Sequence, residues 1–319
     1  MSAKVELWEY FMDHSDGRTA KKNAVNAFIG CTLCLDDVMA ERLLNVLKAN
    51  RLKFRERASG GNFCWLTREL AFPFKTRSQS TVLHEIGHAL DYKSGEMYKE
   101  TAKNGAIKTR FKEEFYSSHH KLSSGKTLSD TVKSEIKSNC DVIYNDLIRR
   151  YREEVLEKLD NFPIDKFFEA NELLKQDRIN SHKYRVRYLA PGESRDPEKL
   201  GEYERKQEER AKHLLDYNVR NELFKLTTLP RKSDEYHQFD KKYGTVLDML
   251  SGCLDTSNIW CGHSRSYMNS RKQFGLEFFA DMFSSEFAGK EDEISYVREC
   301  MPRSYAGYRE LLDFIRSEK

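Results

Sequence analysis

The sequence predicts an α+β protein in which a small, mostly antiparallel sheet is set among many helices. Two patterns predict it: apolar residues recur at three-to-four spacing along most of the chain, and between residues 52 and 74 the spacing shortens to two. From about residue 20 to 50 the pattern is helical, with Met39, Leu43, Val46 and Leu47 on one face and Asn50 at a stop. Leu52 and Phe54 then alternate, Gly60-Gly61 breaks the run, and Phe63 with Trp65, then Leu70, Phe72 and Phe74, alternate again. Another helix starts near Ser80. Thr127 opens a long one, in which Leu128, Val132, Ile136, Ile143, Leu147, Tyr151, Val155 and Leu159 share a face until Pro163 ends it. Loop signals at Ala190-Pro191-Gly192 and Asp196-Pro197 precede a second charged helix over roughly residues 202–226. Finally Phe274, Phe278, Phe279, Met282, Phe283 and Phe287 mark one buried helical face, with Gly289 as its stop. The chain divides accordingly into an N-terminal helical segment (1–50), the sheet with its following helix (51–95), a helix-rich charged insertion or lid (96–240) and a C-terminal helical part (241–319).

The 319 residues suffice for one large domain or two modest ones. A net charge of +3 with 33% charged residues of both signs does not call for nucleic acid. Glu202, Glu204, Glu208 and Glu209 interleave with bases and read as solvated helix faces. Residues 1–22 lack the apolar core of a signal peptide, and no run approaches a membrane span. A chain without a membrane partner is expected, cytoplasmic or delivered by a non-classical route. Seven scattered cysteines, an odd number, argue for reduced thiols over a disulfide framework. The lone Cys31-Thr32-Leu33-Cys34 pair reads as packed thiols more readily than as a metal site.

The chemistry concentrates in His84-Glu85-Ile86-Gly87-His88, an HExxH string inside the helix that starts near Ser80. Residues four apart share a helical face, so both imidazoles reach one metal ion while Glu85 leans toward a water on that ion. This is the chemistry of a zinc peptidase; the bland alternative is a buried helix with two satisfied histidines. The segment Phe274–Phe283 weighs against that alternative. Glu277 and Asp281 lie one turn apart beside its apolar stripe, where a carboxylate is costly unless a metal or hydrogen bond compensates it. Catalytic zinc takes three protein ligands and an open position, so Glu277 reads as the third ligand. Asp281 reads as acceptor for the free ring N–H of a ligand histidine. The competing reading makes Glu277 a surface carboxylate of an amphipathic helix. Residues 63–66 are the best candidates for an edge strand that pairs with an extended peptide substrate, against an ordinary core strand.

His84 to Asp91, Glu277 to Phe283 and Met301-Pro302-Arg303-Ser304-Tyr305 resemble the catalytic domain of anthrax lethal factor and related phage- and mobile-element-encoded metallopeptidases. These are gluzincins, and the resemblance covers roughly residues 50–92 and 245–316. It implies a zincin-like fold, Zn2+ as cofactor, a protein or peptide substrate, His84, His88 and Glu277 as ligands, and Glu85 as general base. It also points to a tyrosine before the second motif helix as oxyanion donor. Tyr267 fills that place with a longer spacing to the ligand Glu than in the family, and His263 competes with it. Asp91 fits a position where the family also carries an acid, either orienting a histidine or lying on the helix surface. Two rivals stand beside the peptidase: a catalytically silent zincin-fold binding module, which has no need of Glu85, and a phage structural or morphogenesis protein whose motif helix is only core.

Overall fold

The computed structural model describes residues 2–15, 22–56, 61–64, 66–72, 79–101, 107–183, 192–213, 224–254, 256, 259–260, 262–269 and 273–318. Gly60, Trp65, Phe74, Cys261, the Ala190-Pro191 loop signal and part of the second charged helix lie outside them. Helix α1 (Ala3–Asp13) precedes a helical run that Asp36 divides in two, because its carboxylate accepts from the Met39 N–H at 2.9 Å and caps a new helix. The result is α2 (Lys22–Cys34) and α3 (Asp37–Asn50), the latter burying Met39, Leu43, Val46 and Leu47 and ending on left-handed Arg51.

Strands β1 (Lys53–Glu56), β2 (Asn62–Cys64) and β3 (Glu69–Phe72) form a sheet in the order β1-β3-β2. Both neighbours pair Leu70, Phe54 from a parallel β1 and Phe63 from an antiparallel β2. The parallel pair departs from the antiparallel sheet read from sequence, since alternation reports which face is buried and not which way the partner runs. A second departure follows α4 (Gln79–Asp91), where β4 (Tyr92–Thr101) and β5 (Ile107–Phe115) make an antiparallel hairpin in place of the first part of the helix-rich segment.

Among the described residues that follow, the regular elements are helices: α5 (Tyr116–His119), α6 (Leu128–Glu154), α7 (Ile164–Lys183), α8 (Pro197–His213), α9 (Asp234–Ser251), α10 (Arg265–Met268), α11 (Gln273–Phe287), α12 (Glu291–Cys300) and α13 (Pro302–Ser317). Thr127 caps α6, its hydroxyl accepting from Asp130 N–H at 3.1 Å. That helix stops at Glu154, and a separate 3-10 turn (Leu156–Lys158) follows before Pro163. Gly289, at φ 68°, closes the turn after α11.

Two compact units result, one of Met1–Ile143, Lys241–Leu254 and Gly262–Lys319, the other of Tyr144–Asp240 and Asp255–Cys261. In the second, Tyr151, Phe167, Tyr236, Phe239 and Trp260 are buried together, with Tyr151 and Phe239 rings 5.2 Å apart. The first is organised on α4 packed against α11. Their approach is close because residue 87 is glycine: a Cβ there would lie 2.9 Å from the Ala280 Cα. Behind α4, Phe11, Phe28 and Phe54 form an aromatic cluster, with Phe11 and Phe28 stacked at 4.6 Å. The buried Glu135 of α6 fixes the start of α13, accepting from Ser304 N–H at 2.7 Å, Ser304 Oγ at 2.6 Å and Arg303 Nε at 3.1 Å. Among the described residues no helix is long and apolar enough to cross a membrane.

Candidate functional site

Helix α4 buries Val82, Leu83, Ile86, Ala89 and Leu90. The half-buried His84 and His88 are left with their rings perpendicular and 4.7 Å apart. Glu277 reaches them from α11, only 2% exposed, with Oε2 3.4 Å from His84 Nε2 and 3.5 Å from His88 Nε2. That oxygen is buried and makes no hydrogen bond, so the two imidazoles it faces are what offset the cost of its burial. Two ligand atoms bound about 2.0–2.1 Å from one tetrahedral ion lie about 3.4 Å from each other, so the three atoms fit a shared cation. His84, His88 and Glu277 therefore can hold a metal ion. Burial alone would raise the Glu277 pKa, but the charges of His88 and His84 hold it well below the usual carboxylate range. Asp281 lies beside this pair, its Oδ1 2.8 Å from His84 Nδ1. Burial works against charge on His84, yet its contacts with Asp281 and Glu277 raise its pKa well above the ordinary histidine value.

Glu85 is 6% exposed and accepts a hydrogen bond from the Phe63 backbone N–H. Burial pushes its pKa up against the pull of His88 and His84. The carboxylate lies against the start of β2, where a side chain at Gly61 would collide with it. Since β2 ends the sheet, Asn62 and Phe63 present an edge to the cleft of about 700 Å³ that holds His84, Glu85 and His88. Leu66 lies beyond this strand in an exposed turn. The hairpin lines the cleft with Tyr98, Glu100, Lys112 and Glu113.

His263 and Tyr267 also meet at the site. Their rings stack at 4.4 Å, and the Tyr267 hydroxyl donates to Glu277 Oε1 at 2.5 Å. Burial and the Glu277 charge push the phenol pKa upward, which keeps it a proton donor. His263 is held by Asp248 of α9, whose carboxylate accepts from the His263 backbone N–H at 2.6 Å and lies 3.0 Å from Nδ1 through each oxygen. Ser251 Oγ donates to the His263 carbonyl at 2.6 Å. Burial would lower the imidazole pKa, but the Asp248 hydrogen bond and charge raise it to about 9. Asp248, His263 and Glu277 are also close enough to share a cation. With Nδ1 between two carboxylate oxygens, however, the geometry is that of a hydrogen-bonded ion pair. No sequence motif singles out Asp248, although it sits among Val246, Leu247, Met249 and Leu250, the same carboxylate-in-apolar-run signal that marks Glu277.

Asp91 is fully buried, which removes the helix-surface reading, and its hydrogen bonds go to Ser117 N–H at 2.7 Å and Ser117 Oγ at 2.6 Å. It fixes α5 to the end of α4 and bonds no histidine ring. Burial, opposed by the Ser117 donors, pushes its pKa up to about 7. The CxxC pair forms no disulfide: Cys31 is buried with its pKa pushed to about 12 by burial, and the exposed Cys34 thiol donates to the Gly30 carbonyl at 3.2 Å. No family model, curated protein or solved structure matches the chain.

Proposed function

We propose that the chain is a zinc-dependent endopeptidase of the gluzincin type, with a zincin-like fold in its first unit. The observation that carries the reading is the convergence of the buried Glu277 Oε2, which makes no hydrogen bond, on two Nε2 atoms at 3.4 and 3.5 Å beside the Glu85 carboxylate. Three ligands suit a catalytic ion with an open position, whereas structural zinc sites are closed by four. Bound by His84, His88 and Glu277, zinc would supply Lewis-acid activation of water and of a scissile carbonyl. Asp281 accepts the Nδ1–H of His84 and so aims the Nε2 lone pair at the ion. Glu85, its pKa raised by burial, takes the proton of the attacking water and delivers it to the leaving amine. Tyr267, kept protonated, donates to the developing oxyanion, with the His263 cation next to it as the competing donor. The edge strand β2 offers main-chain groups to an extended protein or peptide substrate. A silent binding module or a morphogenesis protein has no use for a buried base beside an open ligand position, which favours the peptidase.

The experiment joins metal analysis of the purified protein to an unbiased peptide-library cleavage screen of wild type and Glu85→Gln. One zinc per chain is expected in both, with turnover in the variant reduced by roughly 100-fold or more. Equal cleavage rates would remove Glu85 from the mechanism. A wild type purified and zinc-supplemented without stoichiometric metal would refute the site.

A further inference from the structure

A glutamate side chain turns about several bonds, and its place in the HExxH helix fixes only where the Glu85 backbone stands and which way its Cβ points. A general base must nonetheless hold its carboxylate within hydrogen-bond reach of the water it deprotonates. Something outside α4 has to select the rotamer. We propose, resting on the peptidase reading above, that Gly61 is the positioning residue of Glu85, its bare Cα acting as the stop against which the carboxylate is set in the cleft.

Three observations support it. The first is the closeness of the approach. A Cβ on residue 61 would collide with Glu85 Oε1 and stand 2.6 Å from its Cγ and 2.7 Å from its Cδ, so the glutamate lies directly on the face that a side chain would occupy. These are the three nearest atoms and all belong to one side chain, whereas the nearest atom at Gly87 is the Ala280 backbone. The φ of Gly61 lies outside the left-handed region, so the backbone does not demand glycine at this position; the neighbour does.

The second observation is that the stop is held in place. Strand β2 begins at the next residue, and its Phe63 ring meets the Tyr92 ring edge-on at 5.9 Å, Tyr92 being the residue that follows α4. Pairing of Phe63 with Leu70 of β3 holds the strand from its other side. The helix that carries Glu85 and the strand that bounds it are therefore fastened to each other. The third observation is location: Gly61, Asn62 and Phe63 line the cleft together with Glu85, and β2 is the end strand of its sheet. In the proposed reaction the segment that places the base also places a peptide laid along that edge, so one element sets the distance between them.

The test compares Gly61→Ala with wild type in three measurements. Metal analysis should find one zinc per chain in both, since the atoms nearest the new methyl belong to Glu85 and not to a ligand. In peptide assays kcat should fall by about 100-fold with little change in KM, the effect of a catalytic group displaced by about 1 Å. Urea unfolding of metal-free protein needs no activity. There Gly61→Ala should lower the folding equilibrium constant by about 5- to 30-fold in the wild-type background, as overpacking does. On Glu85→Ala, which lacks all three obstructing atoms, the same change should leave it equal or higher. Equal losses in the two backgrounds, loss of zinc, or a raised KM with kcat retained would each overturn the proposal. If Gly61→Ala does not fold, recovery by Glu85→Ala supports the stop, and a double variant that also fails to fold overturns it. A wild type that cleaves no peptide sinks the peptidase reading, while the unfolding comparison still decides whether Gly61 places Glu85.

Discussion

Gly87 lies between the two motif histidines, and replacing it by alanine tests how the site is assembled. The new Cβ would stand 2.9 Å from the Ala280 Cα and 3.3 Å from the Phe283 Cβ, whereas ordinary contact begins at 3.4 Å. The first obstacle is backbone, so relief requires α4 and α11 to separate by about 0.5 Å. One helix carries His84 and His88 and the other Glu277, and metal–ligand distances tolerate only about 0.2 Å. The separation opens the 3.4 and 3.5 Å spacings between ligand atoms, so metal affinity should fall by about 10- to 100-fold, as for other misdirected ligands. Overpacking costs about 1–3 kcal/mol, offset by about 1 kcal/mol of helix propensity, leaving the metal-free protein about 0–2 kcal/mol less stable than wild type. Gly30→Ala is the control, since it lies within α2 and nothing would lie within 4 Å of its Cβ. It should be neutral or stabilising. Chelator competition measures the affinity, and urea unfolding of chelator-treated protein the stability. If Gly87→Ala bound metal like wild type and matched Gly30→Ala in stability, close helix packing would not be what gathers the ligands.

Asp281→Ala removes the acceptor for His84 Nδ1 and should weaken metal binding by about 10- to 100-fold while leaving the fold intact, read by the same competition assay. Tyr267→Phe should lower kcat by about 10- to 1,000-fold with little change in KM, and His263→Ala less; a reversed order in steady-state peptide assays, with metal retained, makes the imidazole the donor. Asp248→Asn takes away the charge that raises His263, so its titration in metal-free protein, followed by NMR, should move from about 9 down toward the ordinary histidine value. No movement would free Asp248 of that role. Asp91 titrates near 7 in the fold against about 4 unfolded, so between those values the unfolded chain has released a proton that the fold retains, and stability contributed at this position falls as pH rises. Asp91→Asn should abolish that part of the pH dependence, on the order of a few kcal/mol; parallel urea-stability curves for the two metal-free proteins from pH 4 to 7 would refute it.

Periodicity made the site's scaffold legible. The stripes of α4 and α11 fix which residues are buried, and the carboxylates of Glu277 and Asp281 stand out because they interrupt apolar surface. The direction of β1 was not legible, since Phe54 faces the core whether its partner runs parallel or antiparallel. The β4–β5 hairpin hid in charge: solvent on much of its surface leaves no apolar alternation to read. Asp248 and Ser117 escaped for another reason. Each acts through a partner distant in sequence, Asp248 through His263 and Ser117 through Asp91, and no local spacing connects such pairs. The break at Asp36 was visible as a cap residue but was submerged in an otherwise continuous helical pattern.

The unit that holds the site is written in three separate stretches of chain, and the last of them, Gly262–Lys319, supplies Glu277. A chain made from its N-terminus therefore presents His84, Glu85 and His88 long before the residue that completes their company has been synthesised. Until then α4 lacks the helix it packs on, and two imidazoles alone make a poor hold for an ion. In the peptidase proposed above, order of synthesis would thus act as a safety catch, keeping the nascent protein inert while it is still surrounded by unfolded polypeptide, its own included.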